Sequence, residues 1–440
     1  MSVMRPTASP DADGLVPLDT PPAPESPESV AFAASRRFIL QLARQLHRHG
    51  TPAHRLEVTL SVVAKRLGLQ AEFFSTPTSI MVGIGALEHQ RVHLLRVEPG
   101  EPNLGHLSRL GAITRQVMDG DITPAEGLQR IDEMDAEPPQ YPQWLVLVAF
   151  VLASAAIACF LKVRMGDVLT ASSLGLVTGM TVLTASRWES TRHVTEPLTA
   201  FIVTTLAFTL DGVLRTRTGY ATSLAGLAIL LPGLTFTVAL TELSTRHLAS
   251  GTARLSGAIV TFLGLGFGLA LGAKAGQAAG AALHDLLPTL ANLSPREALP
   301  TWAEWVGLAI APLAFTVLLN GTPKDAPLIM LACAAAYLTS KVAGAAVGEE
   351  LGAFLGAFVV SAGSNIHARL RRRVAMVTQV PGLLILVPGS IGFRSVTSLL
   401  GQEVETGIAT GFRVAIVGIS LAAGILAGNV VTRAANRIRS

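Results

Sequence analysis

Beyond Trp144 the chain is a series of long apolar runs separated by short polar links. A membrane-spanning helix needs about 20 apolar residues, and ten successive runs here contain no Asp, Glu, Lys or Arg. They cover residues 144–161, 168–186, 197–210, 218–241, 255–273, 305–323, 326–340, 351–366, 374–393 and 414–432. The shorter runs reach full length with flanking residues. This pattern predicts a polytopic α-helical membrane protein with ten transmembrane helices.

The first 143 residues follow a different pattern. Residues 1–30 are rich in Pro, Asp, Glu and Ser, which predicts a disordered tail rather than a signal peptide. Helical periodicity then predicts helices over 31–49 and 53–67, followed by three short β-like runs and two more helices before residue 137. We therefore predict a small α+β domain over 31–143, attached directly to the first span.

The membrane part of the sequence repeats itself. The matching positions lie 153–158 residues apart and occur in the same order; they are Glu196 with Glu349, Pro232-Gly233 with Pro388-Gly389, and Asp167 with Asp325. The predicted halves cover 144–273 and 305–440, joined by a linker loop over 274–304. Because each half has five spans, an odd number, the second half must enter the bilayer in the opposite orientation. Such inverted repeats are a recurrent architecture of secondary transporters, whose substrate sites lie at the repeat interface.

Composition supports the membrane interpretation. The chain is 50% hydrophobic and only 15% charged, whereas soluble domains are about 25% charged. Residues 1–143 carry a net charge of −4 and residues 144–440 a net charge of +8, which indicates basic loops at a membrane surface rather than binding of nucleic acid. An ordinary soluble enzyme is excluded by this composition.

The two Pro-Gly pairs are the main candidates for a substrate site. Proline removes a backbone hydrogen bond and glycine relaxes the backbone, so both helices are predicted to break there. Broken helices place free amide and carbonyl groups at membrane depth, where they can bind a small zwitterion. The predicted substrate-binding residues are Pro232, Gly233, Thr235, Thr237, Pro388, Gly389, Ser390 and Arg394. The alternatives are a mere kink at each pair and a snorkelling role for the arginine.

Other polar residues are candidates for coupling or gating. These are Glu196, Glu349, Asn365 and Glu57, with Gln379 and Lys341 as weaker candidates. Each of the two repeated glutamates precedes a span, where the helix dipole alone could explain it. The GxxxG spacings are typical of close helix packing. His47, His49 and His54 match no metal-binding pattern and are interpreted as a solvated helical face. No metal or cofactor motif and no ATP-binding loop occurs in the sequence.

Four segments of the chain form a recognisable set. They are Gly50-Thr51-x-x-x-Arg55-Leu56-Glu57, Ala64-x-x-Leu67-Gly68-Leu69 and Thr76-Pro77-Thr78-x-Ile80, together with Leu-Val-Pro-Gly-Ser at 386–390. In these segments the chain resembles the threonine/serine exporter family. The resemblance covers nearly the whole chain, from about residue 35 to 432. It implies export of L-threonine and L-serine from the bacterial cytoplasm, driven by the proton motive force. Related two-chain systems resemble dicarboxylate (succinate) exporters.

Three alternatives stay open at this point. The first is a dicarboxylate exporter, which would need a second cation, with Lys341 or Arg413 as the candidates. The second is a membrane-anchored enzyme or sensor acting through residues 31–137, and the third is a channel. The expected partners are a small-molecule substrate, protons and the lipid bilayer, with a homo-oligomer left open. The arginines at 369–373 and 433–439 predict that both termini face the cytoplasm of a bacterial inner membrane.

Overall fold

The computed structural model describes residues 27–98, 100, 102–188, 194–286, 297–387, 395, 398 and 404–437. Four of the predicted substrate-binding residues lie outside the described residues, namely Pro388, Gly389, Ser390 and Arg394. The predicted tail also lies outside them as far as residue 26. Its last four residues belong to the first helix, which starts at Pro27, a residue whose fixed φ angle suits the first helical position.

An α+β domain occupies residues 27–135, whereas the sequence predicts one over 31–143. Its elements are α1 (Pro27–Arg48), α2 (Ala53–Arg66), β1 (Ala71–Thr76), β2 (Ser79–Ile84), β3 (Arg91–Arg96), α3 (Leu104–Asp119) and α4 (Pro124–Asp135). The strands form an antiparallel sheet in the order β1-β2-β3. Alternate residues of β2 (Ile80, Val82 and Ile84) are buried against the helices. Because successive side chains of a strand point to opposite faces of the sheet, these three lie on the face that packs in the core.

The rest of the described chain is helical. Its helices are α5 (Gln143–Phe160), α6 (Met165–Ala185), α7 (Thr195–Leu214), α8 (Gly219–Leu227), α9 (Gly233–Ser244), α10 (Leu248–Leu286), α11 (Ala303–Leu318), α12 (Ala326–Val347), α13 (Glu349–Leu370), α14 (Met376–Leu384) and α15 (Val404–Arg437). Within the described ranges, seven of them are long and apolar enough to cross a membrane, and the bent pair α8–α9 brings the number to eight. The chain is therefore a polytopic membrane protein, and the predicted number of ten stays a prediction.

The break predicted at Pro232 is present. Helix α8 continues through a 3₁₀ turn over Ala228–Leu230, and α9 starts at Gly233 after a bend of 55°. Pro232 is the residue before α9 and has φ −78° and ψ 35°, outside the helical region. A proline in a helix removes a hydrogen bond and clashes with the preceding turn, which explains why the change of direction falls here.

The prediction of a loop from residue 274 is wrong for its first part, because α10 continues to Leu286. Residues 273–283 are rich in alanine, the residue with the highest helix propensity. Glycines on the same helix also let it lie directly on α7: a Cβ atom built on Gly276 would lie 2.5 Å from the carbonyl oxygen of Thr205. The sequence-based prediction gave more weight to the charged residues and prolines of segment 274–304 than to its alanines and glycines, and it therefore ended the helix too early.

Close glycine contacts join α10 to α7 and α15 to α13. A Cβ on Gly268 would lie 2.2 Å from the carbonyl oxygen of Pro197, and one on Gly424 would lie 2.3 Å from that of Phe354. Real Cβ atoms do not approach this closely, so only glycine permits these separations. The packing role predicted for the GxxxG spacing in α10 is confirmed.

The α+β domain packs on one end of the membrane helices, which we call the domain side. The amides of Leu104 and Gly105 donate to the carbonyl oxygens of Leu319 and Asn320, each at 2.9 Å, and the Tyr141 hydroxyl donates to that of Gly321 at 2.6 Å. The end of α11 and the start of α5 therefore both lie on the domain side. At the opposite end, the amide of Met165 donates to the carbonyl oxygen of Glu297 at 3.1 Å. Helices α5 and α11 thus run antiparallel.

Candidate functional site

A cavity of about 100 Å³, the central cavity, lies where the α+β domain meets helices from both predicted halves. Its wall contains Gly50, Pro52, His54, Arg55, Gly100 and Pro102 from the domain; Leu234, Thr235, Val238, Thr241 and Arg254 from α9 and α10; and Met376, Gln379, Val380, Leu383 and Ile425 from α14 and α15. A cavity of this size has room for several water-sized groups. Polar groups and an apolar wall together suit a small, hydrophilic ligand.

The start of α2 forms the domain's wall of the cavity. Gly50 has φ 82°, the left-handed conformation that ends α1 and turns the chain toward α2, and a Cβ there would lie 3.0 Å from Cα of Pro102. Pro52 then precedes the first helical residue, Ala53. This turn places Arg55 in the first turn of α2, two residues after its first residue, at the end that faces the cavity. The Gly-Thr-x-x-x-Arg sequence therefore forms a turn and the start of a helix that together place an arginine against the membrane helices.

Arg55 connects the domain to the second half of the membrane part. Its guanidinium donates to the amide oxygen of Gln379 on α14 at 2.5 Å and to that of Asn429 on α15 at 3.5 Å. Gln379 in turn donates to the Ser361 hydroxyl at 2.9 Å, and Asn365 donates to Asn429 at 2.7 Å. A polar network thus runs from the domain through α14 to α13 and α15, next to the cavity.

A second polar cluster, the carboxylate cluster, joins the domain to the first half. Glu242 near the end of α9 is fully buried, and its carboxylate accepts hydrogen bonds from the Ser250 hydroxyl at 2.8 Å and from Nε of Arg254 at 3.1 and 3.2 Å. It also accepts from the backbone amide of Ala53, the first residue of α2, at 2.8 Å. One carboxylate therefore binds α9, α10 and α2 together, and its partner Arg254 lines the cavity.

Glu57 makes a third connection on the domain side. It accepts hydrogen bonds from the amide and hydroxyl of Ser75, at 2.8 and 3.0 Å, and it lies 3.3 Å from Nε2 of His247 in the turn before α10. The rings of His247 and His54 meet edge to face, with their centroids 6.2 Å apart. Glu57, predicted as a coupling or gating residue, thus contacts the membrane part from the domain.

The interpretation of the histidine cluster as a solvated face is wrong for two of its members. His47 and His49 are 2% and 8% exposed, because the end of α1 packs against the sheet and α3. Nε2 of His47 lies 2.9 Å from the carbonyl oxygen of Pro77, and Nε2 of His49 lies 2.9 Å from Nδ1 of His106. Burial lowers the pKa of His47, and burial with the neighbouring His106 lowers the pKa of His49 to about 4. Both rings therefore stay neutral near neutral pH.

The predicted substrate-binding residues of the first half lie at or near the cavity. Thr235 lines it, while Thr237 is fully buried and donates to the carbonyl oxygen of Gly233 at 3.0 Å. Pro232 and Gly233 form the break that begins α9, the helix that contributes most of the first half's wall. The second-half counterparts lie outside the described residues, directly after the segment that follows α14.

The predicted coupling residues are spread over the molecule. Asn365 belongs to the polar network, and Glu196 lies half-buried in the first turn of α7. Glu349 is exposed and lies 2.7 Å from Arg413. Lys341 forms an ion pair with Glu304. Neither Arg413 nor Lys341 lines the cavity, so neither supplies the second cation that a dicarboxylate would need there.

Sequence reasoning missed Glu242 and Arg254 and undervalued Arg55 and Gln379. Glu242 and Arg254 stand immediately outside the runs 218–241 and 255–273. Two opposite charges at the adjacent ends of consecutive spans are brought together by the short turn between them, which was a usable signal. The contact from Arg55 to Gln379 crosses 324 positions and leaves no local pattern. No group of three or more His, Cys, Asp or Glu side chains placed to hold a metal ion occurs among the described residues.

A family model for threonine/serine exporters matches residues 37–276, and a second model, described as threonine/serine exporter, matches residues 304–431. No solved structure matches.

The curated relatives are fungal membrane proteins. Pheromone-regulated membrane protein 10 of Eremothecium gossypii is 25% identical over 86% of this chain and 51% of its own length. The proteins of the same name from Candida albicans (strain SC5314 / ATCC MYA-2876) and Saccharomyces cerevisiae (strain YJM789) are 27% and 25% identical, over 82% and 83% of this chain. Those matches cover 33% and 47% of the relatives, so the chain spans about half of their length or less. Since the first family model alone covers more than half of the chain, the protein belongs to the threonine/serine exporter family.

Proposed function

We propose that the protein exports small hydrophilic metabolites, most of all L-threonine and L-serine, across the membrane in exchange for protons. The observation that supports this function is the central cavity, whose wall combines residues of the α+β domain with residues of both predicted halves. In secondary transporters the substrate site lies at such an interface, next to a broken helix. The break at Pro232 is in that position.

The chemistry of the wall fits a hydroxyl-bearing amino acid. The guanidinium of Arg55 can hold a carboxylate in place of its amide partners, because charge-assisted hydrogen bonds are the stronger ones. Thr235, Thr241 and Gln379 offer neutral groups for the ammonium and hydroxyl of the substrate. Ser390 and Arg394, with Pro388 and Gly389, are proposed to complete the site from the second half. The residues Leu234, Val238 and Val380 would contact the aliphatic part.

Dicarboxylates such as succinate are the second candidate, because two arginines line the cavity, Arg55 and Arg254. The second of them is already paired with Glu242 at 3.1 Å. A second substrate carboxylate would have to compete with Glu242 for this guanidinium. A substrate with one carboxylate avoids that cost, which favours the amino acids.

We further propose ten spans in two inverted halves. The antiparallel arrangement of α5 and α11 supports this, since they are the first helices of each half. Two buried aspartates at corresponding positions also support the inverted halves. Asp167 accepts a hydrogen bond from the Thr218 hydroxyl at 2.7 Å, and Asp325 accepts one from Arg373. Each aspartate opens the second helix of its half and binds the segment before the fourth. The remaining spans would be the 16-residue α11 and the predicted apolar run 374–393, which contains α14.

The domain side is proposed to face the cytoplasm. Arg369 lies in the last turn of α13, and Arg371, Arg372 and Arg373 lie between α13 and α14. Arg372 is 3.3 Å from Asp119 of the domain. Positively charged loops remain on the cytoplasmic side during membrane insertion. Both termini would then be cytoplasmic, and the membrane would be the cytoplasmic membrane of the cell.

Efflux measurements test the function directly. Cells producing the protein are preloaded with labelled L-threonine, L-serine or succinate, and efflux is followed with and without an uncoupler. We expect efflux of the two amino acids that the uncoupler abolishes, and little efflux of succinate. Faster efflux of succinate than of threonine would favour the second candidate. Uncoupler-insensitive downhill flux would indicate a channel instead.

A matched pair of variants connects this activity to the cavity. Arg55→Gln should slow efflux at least about tenfold, because a hydrogen bond to a charged group is worth about 1.5–3 kcal/mol and about 1.4 kcal/mol corresponds to a factor of ten. Lys341→Gln, which removes a cation outside the cavity, should leave efflux unchanged. Ser390→Ala and Arg394→Gln, compared at matched expression, should also slow it. Unchanged rates in all three site variants would remove the cavity from the transport path.

A further inference from the structure

We propose that Glu242 is the proton-binding residue of this protein, and that its ionised form closes the central cavity on the domain side by holding α2 in place. Its role in export rests on the proposed function, whereas its role as a latch between the domain and the membrane helices does not. The carboxylate is fully buried at the end of the broken helix. An ionisable residue buried in a membrane protein is expensive to keep and marks a functional site by default.

The hydrogen bonds of the Glu242 carboxylate hold the start of α2 against α9 and α10, and we call this set of contacts the latch. Both oxygens accept hydrogen bonds from Arg254, and one also accepts from the amide of Ala53 at 2.8 Å. Ala53 begins α2, and the first amides of a helix have no partner within the helix. The positive end of the helix dipole therefore also points to the negative charge of Glu242. This contact joins the domain to α9 without any side chain of the domain.

Protonation would weaken every one of these contacts. A neutral carboxyl group gives up the charge-assisted bonds to Arg254 and the attraction of the α2 dipole, and one of its oxygens becomes a donor. Of the polar contacts between α2 and the membrane helices, those of Arg55 and the pair of Glu57 with His247 would remain. Because Arg254 and the start of α2 line the cavity, release of the latch would open the cavity to the domain side.

Other charged groups surround the cluster and have to be separated from it experimentally. The charged or titratable residues near Glu242 are Arg254 on α10, His247 in the turn before α10, His47 on α1, and His54, Arg55 and Glu57 on α2. Two further carboxylates belong to elements that pack on α10, namely Glu196 on α7 and the exposed Glu72 on β1. The cavity-facing residues of α14 and the nearby Asn429 of α15 are uncharged. His47, which faces both Arg254 and Glu242, has a pKa lowered by burial.

The order of events fits exchange of substrate for protons. A proton reaching Glu242 opens the cavity to the domain side, and substrate enters. Loss of the proton restores the negative charge, which draws the amide of Ala53 and Arg254 back and closes that side around the substrate. Proton and substrate therefore occupy the protein in alternation, as antiport requires.

Pulsed spin-label distance measurements test the latch in the full chain in lipid nanodiscs. Labels are placed at Val62→Cys on α2 and Leu370→Cys at the end of α13, both exposed, with Cys159 and Cys333 replaced by alanine. We expect one narrow distance at about pH 8 and a broad, longer one at the lowest pH at which the protein stays folded. In Glu242→Gln the broad distribution should occur at both pH values.

Three comparisons keep the test decisive. Glu137→Gln, the same change in an exposed ion pair with Arg109, should behave like the parent, and Glu242→Asp should keep the pH response. If Glu242→Gln alone does not fold, the neutral pair Glu242→Gln/Arg254→Gln is used. A narrow distance at both pH values in the parent or in Glu242→Gln, or an unchanged pH response in Glu242→Gln, would overturn the latch. Absence of threonine efflux from the parent would instead overturn the proposed function and leave this result standing.

Discussion

Single residues on α1 and α2 show what a local pattern can and cannot predict. The sequence motif around Gly50 and Arg55 was recognisable, and the glycine occupies the left-handed turn that such a position favours. The contact between Arg55 and Gln379 was not predictable, because the two residues are distant in sequence. Each of them alone is only a polar residue, with no local pattern that indicates its partner. The solvent exposure of His47 and His49 was predicted wrongly for the same reason. The burial of these side chains depends on the elements that pack on the end of α1, and the spacing of the histidines does not indicate that α3 is one of them.

The histidine pair gives a prediction of how the stability of the protein depends on pH. Burial lowers the pKa values of both His49 and His106, so the folded state binds fewer protons than the unfolded state between about pH 6.5 and about pH 4. The free energy of unfolding of the domain should therefore be highest above about pH 6.5 and decrease as the pH falls toward 4. Thermal unfolding measured across this range should show it.

A substitution isolates this contribution. His49→Gln removes the titrating group and should flatten the decrease between about pH 6.5 and about pH 4, even if the variant is less stable at neutral pH. His89→Gln changes a histidine in the turn before β3 and should keep the slope of the parent. An equal slope in His49→Gln and the parent would show that the acid sensitivity comes from other groups.

Helices and strands were predicted far better than their contacts. The hydrophobic runs predicted the positions of α5 to α13, and the Pro-Gly pair predicted the break between α8 and α9. The end of α10 was missed, because the loop prediction weighed proline and charge over an alanine-rich helix that is supported by α7. Close packing depends on glycines whose neighbours lie on another helix, and the sequence shows only their spacing.

Two glycines on α10 provide a matched test of this packing. In Gly272→Ala the new Cβ would lie 2.6 Å from the carbonyl oxygen of Phe201, whereas Gly257 has nothing within 4 Å. The first variant should lower the melting temperature in detergent by several degrees, since overpacking costs about 1–3 kcal/mol. Gly257→Ala should be neutral or slightly stabilising, because alanine favours the helix by up to about 1 kcal/mol. Equal melting temperatures would contradict the contact between α7 and α10.

At the scale of the whole molecule, the α+β domain and helices of both predicted halves meet at one cavity. The antiparallel arrangement of α5 and α11 is the one that the proposed inverted repeat requires. The docking of the domain onto the membrane helices could not be predicted, because its contacts join segments that are distant in sequence, as in the hydrogen bond from Ala53 to Glu242. The domain thereby becomes part of the candidate site.

The proposed inverted repeat predicts the side of the membrane on which each of two corresponding residues lies. Glu196 and Glu349 each begin the third helix of a half, so a cysteine at Glu349 should react with a membrane-impermeant thiol reagent in intact cells. A cysteine at Glu196 should react only after the cells are permeabilised. A cysteine at Lys65, on the domain, serves as the cytoplasmic control. Labelling of Glu196→Cys and Glu349→Cys from the same side would rule out the inverted repeat or the ten spans.

Protection of the cavity by substrate tests the central claim most directly. In the full chain with Cys159 and Cys333 replaced by alanine, a cysteine at Thr235, which lines the cavity, is reacted with a small hydrophilic maleimide. We expect L-threonine to slow the reaction at least about tenfold at saturation, with D-threonine much less effective and a cysteine at Lys65 unaffected. Modification at the same rate with and without L-threonine, L-serine or succinate, in a protein that still exports one of them, would show that the substrate passes elsewhere.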